Sequence, residues 1–327
     1  MAGTDIPQPQ SDADFYKEIQ PALDALEVTR EEYSWKLYRR MIIGGVAGLI
    51  VAAAFAYCAH HAAQGNWMYY GIAAACLFAV GGWVYMPAAR YHTDYKNSVL
   101  PRIVKLVGLS GYNPHGAIYV DQFEPTGIVP GHDKQFARDL FEGTYKGAGV
   151  SFCRLVLKKK NPNLRNNQEE TVFSGIALLI VIPQNKFSGH TVVRRKNLLN
   201  ELADINAFKA TGVAGLQTVH LEDPAFEKRY QVFSTDQVES RVLLDPAMME
   251  RIDAVSGTYF SQGINISYDR GNRVFALIPT ARELFNAPSV WSPTDIDAVE
   301  RMKKEVQSIL SLVDQLDLYK PPVVGTA

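Results

Sequence analysis

"FSGIALLIVIPQNKFSGHTVV", residues Phe173 to Val193, carries the tripeptide Phe-Ser-Gly twice with an apolar run between the copies. Whether that run is a membrane span, a glycine-rich ligand loop or a sheet element decides the fold class. Ile176 to Ile182 supplies about a third of the roughly 20 residues that a helix needs to cross ~30 Å of hydrocarbon. It is aliphatic, rich in β-branched side chains and stopped by Pro183, which predicts a strand covered on both faces. Gln184, Asn185 and Lys186 form a polar turn, and Thr191 to Val193 resume extended character, so the stretch predicts a β-hairpin. Gly175 and Gly189, like Gly143 upstream, each follow a phenylalanine by two positions, a pattern expected of bulges or tight bends in a curved sheet.

The flanking sequence extends the same theme. Between Gly143 and Leu157 the side chains alternate, with Val150, Phe152, Arg154 and Val156 on one face and Ser151, Cys153, Leu155 and Leu157 on the other. Tyr230 to Phe233 predicts a strand leading into a helix capped by Ser234 or Asp236, with Gln237 or Glu239 as capping-box partner and a break at Asp245-Pro246. "TYFSQGINISYDRGNRVFALIP" predicts two strands joined at Asp269 to Asn272. A closing helix from about Thr294 to Leu318 carries Ile296, Val299, Met302, Val306, Ile309, Val313 and Leu316 in one stripe. The expected class is α+β, a largely antiparallel sheet with a C-terminal helix over residues 97–320.

Ahead of this domain stand two runs without a charged residue, Met41 to Ala59 and Trp67 to Ala89. Each is long enough to span a bilayer as a helix. "KLYRR" precedes the first, "RYHTDYK" follows the second, and the connector "HHAAQGN" has no Lys or Arg, which predicts a transmembrane hairpin over 41–89 with both termini cytoplasmic. Tyrosines and tryptophans gather towards the ends of both runs, as interfacial belts do. Gly44 and Gly48 form a small-xxx-small pair suited to packing inside the hairpin. Residues 1–40 hold Phe15, Ile19, Leu23 and Leu26 at helical spacing, an amphipathic cytoplasmic segment. About 40 polar residues before the first run exceed the n-region of a cleaved signal peptide.

The chain has 327 residues, 47% hydrophobic content and a formal net charge of -1. That is enough for a sizeable core and too little positive charge to favour nucleic acid as a partner. Cys58, Cys76 and Cys153 lack C-x-x-C spacing, so neither a disulfide framework nor a zinc site is indicated.

The succession "FEGTYKGAGVSF", "FSGIALLIVIPQNKFSGHTVV" and "YQVFSTDQVESRVLLDP" behind an N-terminal membrane hairpin resembles a bacterial family known only as a domain of unknown function. The resemblance covers most of the chain after Trp35. It rests above all on Phe173, Gly175, Phe187, Gly189, Thr191 and Val192, and on Ser234, Asp236, Glu239, Arg241, Leu244 and Pro246. It implies a multi-pass protein of the bacterial inner membrane with a cytoplasmic α+β domain, and it brings no activity or catalytic residue.

Templates for chemistry are missing from the residues themselves. "GTYKGAG" fits neither phosphate-binding glycine pattern, and the chain contains no G-x-S-x-G elbow or H-E-x-x-H helix. His132, Asp133, His190, His220, Asp236, Glu239 and Arg241 are the polar candidates of the soluble part, and acid-base catalysis would need two of them to converge. Capping and surface pairing account for Asp236, Glu239 and Arg241, and His60 and His61 lack an acidic neighbour for a metal. No catalytic, cofactor or metal residue is therefore assigned. Two cationic tips, Lys158, Lys159, Lys160 and Arg165 on one side and Arg194, Arg195 and Lys196 on the other, are candidates for contact with anionic headgroups. The expected function is a non-catalytic, membrane-anchored interaction or scaffold protein whose partners are the lipid bilayer and another protein or further copies of the chain. The alternatives are an enzyme acting on a membrane-proximal substrate, or an accessory subunit of a membrane transport complex.

Overall fold

A computed structural model describes residues 12–61, 67–161, 168–184, 187–196, 215–255 and 263–316. Arg165, Asn185, Lys186, the expected strand start at 258–262 and the expected helix end at Leu318 lie outside the described residues. The chain forms two compact units, one of residues 12–102 with 286–302, the other of residues 103–285 with the segment from Lys303 onward.

The first unit is helical. Helix α1 runs unbroken from Asp12 to His61 and helix α2 from Trp67 to Leu106, so the amphipathic segment and the first apolar run are one helix. Tyr33 donates to Asp94 at 2.9 Å, and Arg40 donates to the carbonyl of Trp83 with its guanidinium 4.9 Å from that ring. A Cβ on Gly44 would meet Val84 Cγ2 at 2.7 Å, and one on Gly48 would meet Leu77 Cδ2 at 3.8 Å. As α1 advances its partners on α2 recede, so the pair is antiparallel, and the two glycines let the backbones approach. Around the seam Met41, Ile42, Ile43, Leu49 and Ile50 on α1 and Ile72, Leu77, Phe78, Tyr85 and Met86 on α2 are exposed.

Among the described residues one helix, α1, has a stretch long and apolar enough to cross a membrane, where two were expected. Asp24, Glu27, Arg30, Glu31, Glu32, Lys36, Arg39 and Arg40 confine that stretch to the part beyond Arg40. Helix α2 covers the second expected run, but the side chains of Trp67 to Tyr70 and of Ala73 lie outside the described residues.

The second unit is built on one antiparallel sheet of nine strands. These are β1 (Gly111–Asn113), β2 (Lys134–Tyr145), β3 (Ala148–Lys160), β4 (Glu169–Val181), β5 (Thr191–Arg195), β6 (Gln217–Val219), β7 (Tyr230–Ser234), β8 (Asn265–Asp269) and β9 (Arg273–Pro279). Their order is β1-β2-β3-β4-β9-β8-β5-β7-β6. A 3-10 turn, Val120–Thr126, precedes β2, and three short helices, α3 (Pro224–Arg229), α4 (Gln237–Leu243) and α5 (Pro246–Val255), flank β7. Helix α6, Ile296–Gln315, buries Val299, Met302, Val306, Ile309 and Val313 of the expected stripe. Phe152 to Leu155 on β3 and Gly175 to Leu178 on β4 are buried without alternation, so the middle of the sheet is covered on both faces. One face packs Phe123, Leu155, Leu157, Phe173, Val192 and Phe275 into a single cluster. On the other, Phe141 stacks on Phe152 at 4.7 Å and meets Phe285 at 4.8 Å. Tyr145 and Lys146 both donate to Asp314 of α6.

Two expectations about the opening stretch are corrected. β4 and β5 are strands but do not form a hairpin. β4 pairs with β3 and β9, β5 pairs with β8 and β7, and the β8–β9 hairpin lies between them. The connection passes the tip of that hairpin, where Phe187 bridges Gly271. The apolar run is too buried to leave one edge without a neighbour, and β9, equally apolar, takes it. Nor are Gly143 and Gly175 bulges, although Gly189 does lie in a bend. The register of β4 is continuous through Gly175, and a Cβ there would stand 2.1 Å from the carbonyl oxygen of Ile278. One on Gly143 would stand 2.7 Å from the amide of Ser110. Glycine serves close backbone approach. The bulge in β2 falls instead between Arg138 and Phe141. Lys146 and Gly147, both at positive φ, make the turn between β2 and β3.

Candidate functional site

The residues that stand out most in the sequence converge where β7 hands over to α4. Asp236 is in extended conformation, and its Oδ1 accepts the amides of Val238 and Glu239, both at 3.0 Å, which caps the helix. A capping box would turn Glu239 back to the amide of Asp236, but Ser234 Oγ already accepts that amide at 3.0 Å. Glu239 points away instead and accepts the amides of Ser188 and Gly189, one on each carboxylate oxygen, both at 2.7 Å. Gly189 is required by contact, since a Cβ would lie 2.8 Å from Asp236 Cβ and 3.0 Å from Glu239 Oε2.

The neighbouring residues extend this clamp. Thr235 Oγ1 accepts the amide of His190 at 2.8 Å, and the Thr235 amide donates to the carbonyl of His190 at 3.0 Å. Thr191 and Ser234 hydroxyls, both buried, lie 2.9 Å apart. Arg270 Nε donates to the carbonyl of Ser188 at 3.0 Å. The imidazole of His190 is buried between two oxygens, the carbonyl of Thr126 at 3.3 Å from Nε2 and Asp269 Oδ1 at 3.5 Å from Nδ1. Asp269 also pairs with Arg273. These bonds hold residues 187–191 against the start of α4, and the groups named are engaged with one another.

The fold thus brings His190, Asp236 and Glu239 together. Arg241 is exposed on α4, and His220 is exposed with Nδ1 3.4 Å from Glu227. His132 pairs with Asp121 at 3.2 Å, and Asp133 accepts the amide of Lys160 at 2.7 Å. The register puts the two cationic tips at one end of the sheet: Lys158 to Lys160 end β3, Arg194 and Arg195 end β5, and β8 begins beside them. Glu169 and Glu170 lie opposite Lys160 and Lys159, and a bond from Lys134 holds the Glu169 carboxyl below its usual range. Lys158 lies 5.3 Å from the ring centre of Phe136.

A second polar centre escaped sequence reasoning. Asp139 sits in the β2 bulge, buried and at φ 58°, and accepts the hydroxyl of Tyr112 at 2.7 Å. Burial and Asp139 push that hydroxyl's ionisation up. Arg154, also buried, donates to the carbonyl of Arg282 at 2.9 Å and lies cross-strand from Arg138. An arginine inside the apolar run "SFCRLVL" was the available signal.

A domain described as "Protein of unknown function (DUF3137)" spans residues 171–318, which includes the clamp. No curated protein matches the chain. Among solved structures, the crystal structure of the mycobacterial trehalose monomycolate transport factor A, TtfA, is similar over 70% of this chain and 97% of that one, at 11% identity and a TM-score of 0.31. Nothing about function follows from a likeness that slight.

Proposed function

We propose that this chain is a membrane-anchored interaction protein. In this reading the stretches Met41 to Ala59 and Trp67 to Ala89 cross the bacterial inner membrane as a hairpin, and the α+β unit on the cytoplasmic side engages a protein partner or the inner lipid surface. One observation carries it. Large apolar side chains from Met41 to Tyr57 on α1 and from Ile72 to Met86 on α2 are exposed along a length of helix without a charged residue, which in water would be a liability and in lipid is a requirement. Arg40 just before the first stretch and Arg90 just after the second bound that band at the ends away from the connector, as the positive-inside rule asks. The clamp supports an interaction role over chemistry, because its carboxylates and hydroxyls hold backbone and one another. Anionic headgroups at the cationic end of the sheet belong to the same reading, at about 1 kcal/mol for each close cation.

The deciding experiment is topology. The full chain should float with vesicles after alkaline extraction, and protease added to intact spheroplasts should leave the α+β unit whole while cleaving it in opened cells. Release into the soluble fraction, or cleavage from outside, would end the proposal.

A further inference from the structure

We propose that Asp121, Glu124 and His132 form a binding site for a divalent transition-metal ion. Asp121 and Glu124 are three apart on the 3-10 turn, where a repeat of about three residues puts both carboxylates on one side. The turn is anchored: Val120 and Phe123 are buried, Phe123 stacks on Phe275 at 4.2 Å, and Gln135 Oε1 accepts the amide of Val120 at 3.0 Å. The imidazole of His132 is 5% exposed, and its Nδ1 stands 3.1 Å from the carbonyl of Pro130. A carbonyl only accepts, so with Nδ1 as the donor to it the ring presents Nε2 to Asp121 Oδ1, 3.2 Å away. The carbonyl behind the ring is the outer-shell partner that metal-bound histidines use to fix their orientation.

The donor set narrows the ion. One imidazole and two carboxylates suit zinc, manganese, cobalt or iron in the divalent state, with water completing the shell. The three donor atoms lie within 4.8 Å of one another. Donors about 2.1 Å from one ion stand at most about 4.2 Å apart. Binding therefore draws in Asp121 and Glu124, both exposed. Lys159, whose ammonium lies beside Gly131, tempers the charge of the site and favours moderate affinity.

The test is titration of the full chain in detergent, with affinity tag removed, using Zn2+ by calorimetry and Mn2+ by electron paramagnetic resonance. One ion per chain is expected, and Asp121→Asn, Glu124→Gln and His132→Gln should each weaken binding by at least about tenfold, as loss of an outer-shell partner alone does. Glu124→Gln decides the matter if His132→Gln disturbs folding, because an exposed amide in place of an exposed carboxylate leaves the core intact. Absence of saturable binding below the millimolar range, or affinity unchanged in Glu124→Gln, would overturn the site.

Discussion

The carboxylate of Glu239 accepts the amide of Gly189 at 2.7 Å across 50 residues of sequence, and with the neighbouring bond to Ser188 it fixes the β4–β5 connection to helix α4. Hydrogen bonds to a charged group contribute about 1.5–3 kcal/mol each in net terms. Glu239→Gln keeps the shape but sets an amide NH2 against a backbone N–H. Urea unfolding should show a loss of about 2 kcal/mol, and Glu239→Gln combined with Gly189→Ala should be far from additive because they act on one contact. A loss within about 0.5 kcal/mol, the range of an ordinary surface change, would mean that the bonds are incidental.

Gly175 offers a sharper steric test. Its missing Cβ would fall 2.1 Å from a backbone oxygen of β9, where no rotamer change can relieve the clash. Gly175→Ala should cost at least the ~1–3 kcal/mol of an overpacked core and reduce soluble yield. Gly149→Ala, with 3.6 Å to Val181 Cβ, should be tolerated. Equal melting temperatures for the two variants would refute the close approach of β4 and β9.

Asp139 combines a left-handed backbone with a buried acceptor. Asparagine tolerates that conformation and can still accept from Tyr112, whereas alanine is strained by about 1–2 kcal/mol and leaves the tyrosine hydroxyl unpaired. Asp139→Ala should therefore be less stable than Asp139→Asn by about 2 kcal/mol or more by thermal unfolding. The reverse order would show that neither the left-handed backbone nor the bond from Tyr112 fixes this residue.

What could be seen in the sequence follows from what is local. The cap at Asp236, the break at Pro246, the turn at Asp269 to Asn272 and the stripe of α6 depend on neighbours a few positions away, and all are present. Strand partnership is not local. Nothing between Phe173 and Val193 reveals that β9 and β8 slot between β4 and β5, because β4, β8 and β9 are all apolar and any of them could pair with any other. The same limit hid the clamp: Glu239 matches a capping box by spacing, and only the fold shows that Ser234 has taken its partner. The trio of Asp121, Glu124 and His132 fits no familiar ligand spacing, and convergence depends on how the 3-10 turn lies beside the entry to β2.

The thiols report burial and lipid separately. Burial pushes Cys153 up to about 11, so little thiolate exists at neutral pH. Cys76 is exposed on the apolar surface of α2. In a Cys58→Ser background in vesicles, a charged maleimide should modify neither. Cys153 should react only after denaturation. Modification of Cys76 by the charged reagent in intact vesicles would place α2 in water.

The helical unit should carry its own acid sensitivity through Glu27. Its carboxylate takes two bonds from Arg30, at 2.6 and 2.9 Å, and the amide of Thr294 at 2.8 Å. The bond from Arg30 leads in holding its carboxyl down from 4.5 to about 2. A depressed carboxylate stabilises the fold above its unfolded value and ceases to do so as pH falls through the folded one. The contribution is thus complete above about pH 5 and fades between about 4.5 and 2. The side chain is 33% exposed, so solvent screening keeps the effect modest. Glu27→Gln should melt below the parent protein at pH 7, and the gap should close as the pH is lowered through that window. Curves that stay parallel from pH 7 to about 2.5 would show that Arg30 and Thr294 gain nothing from the charge at Glu27.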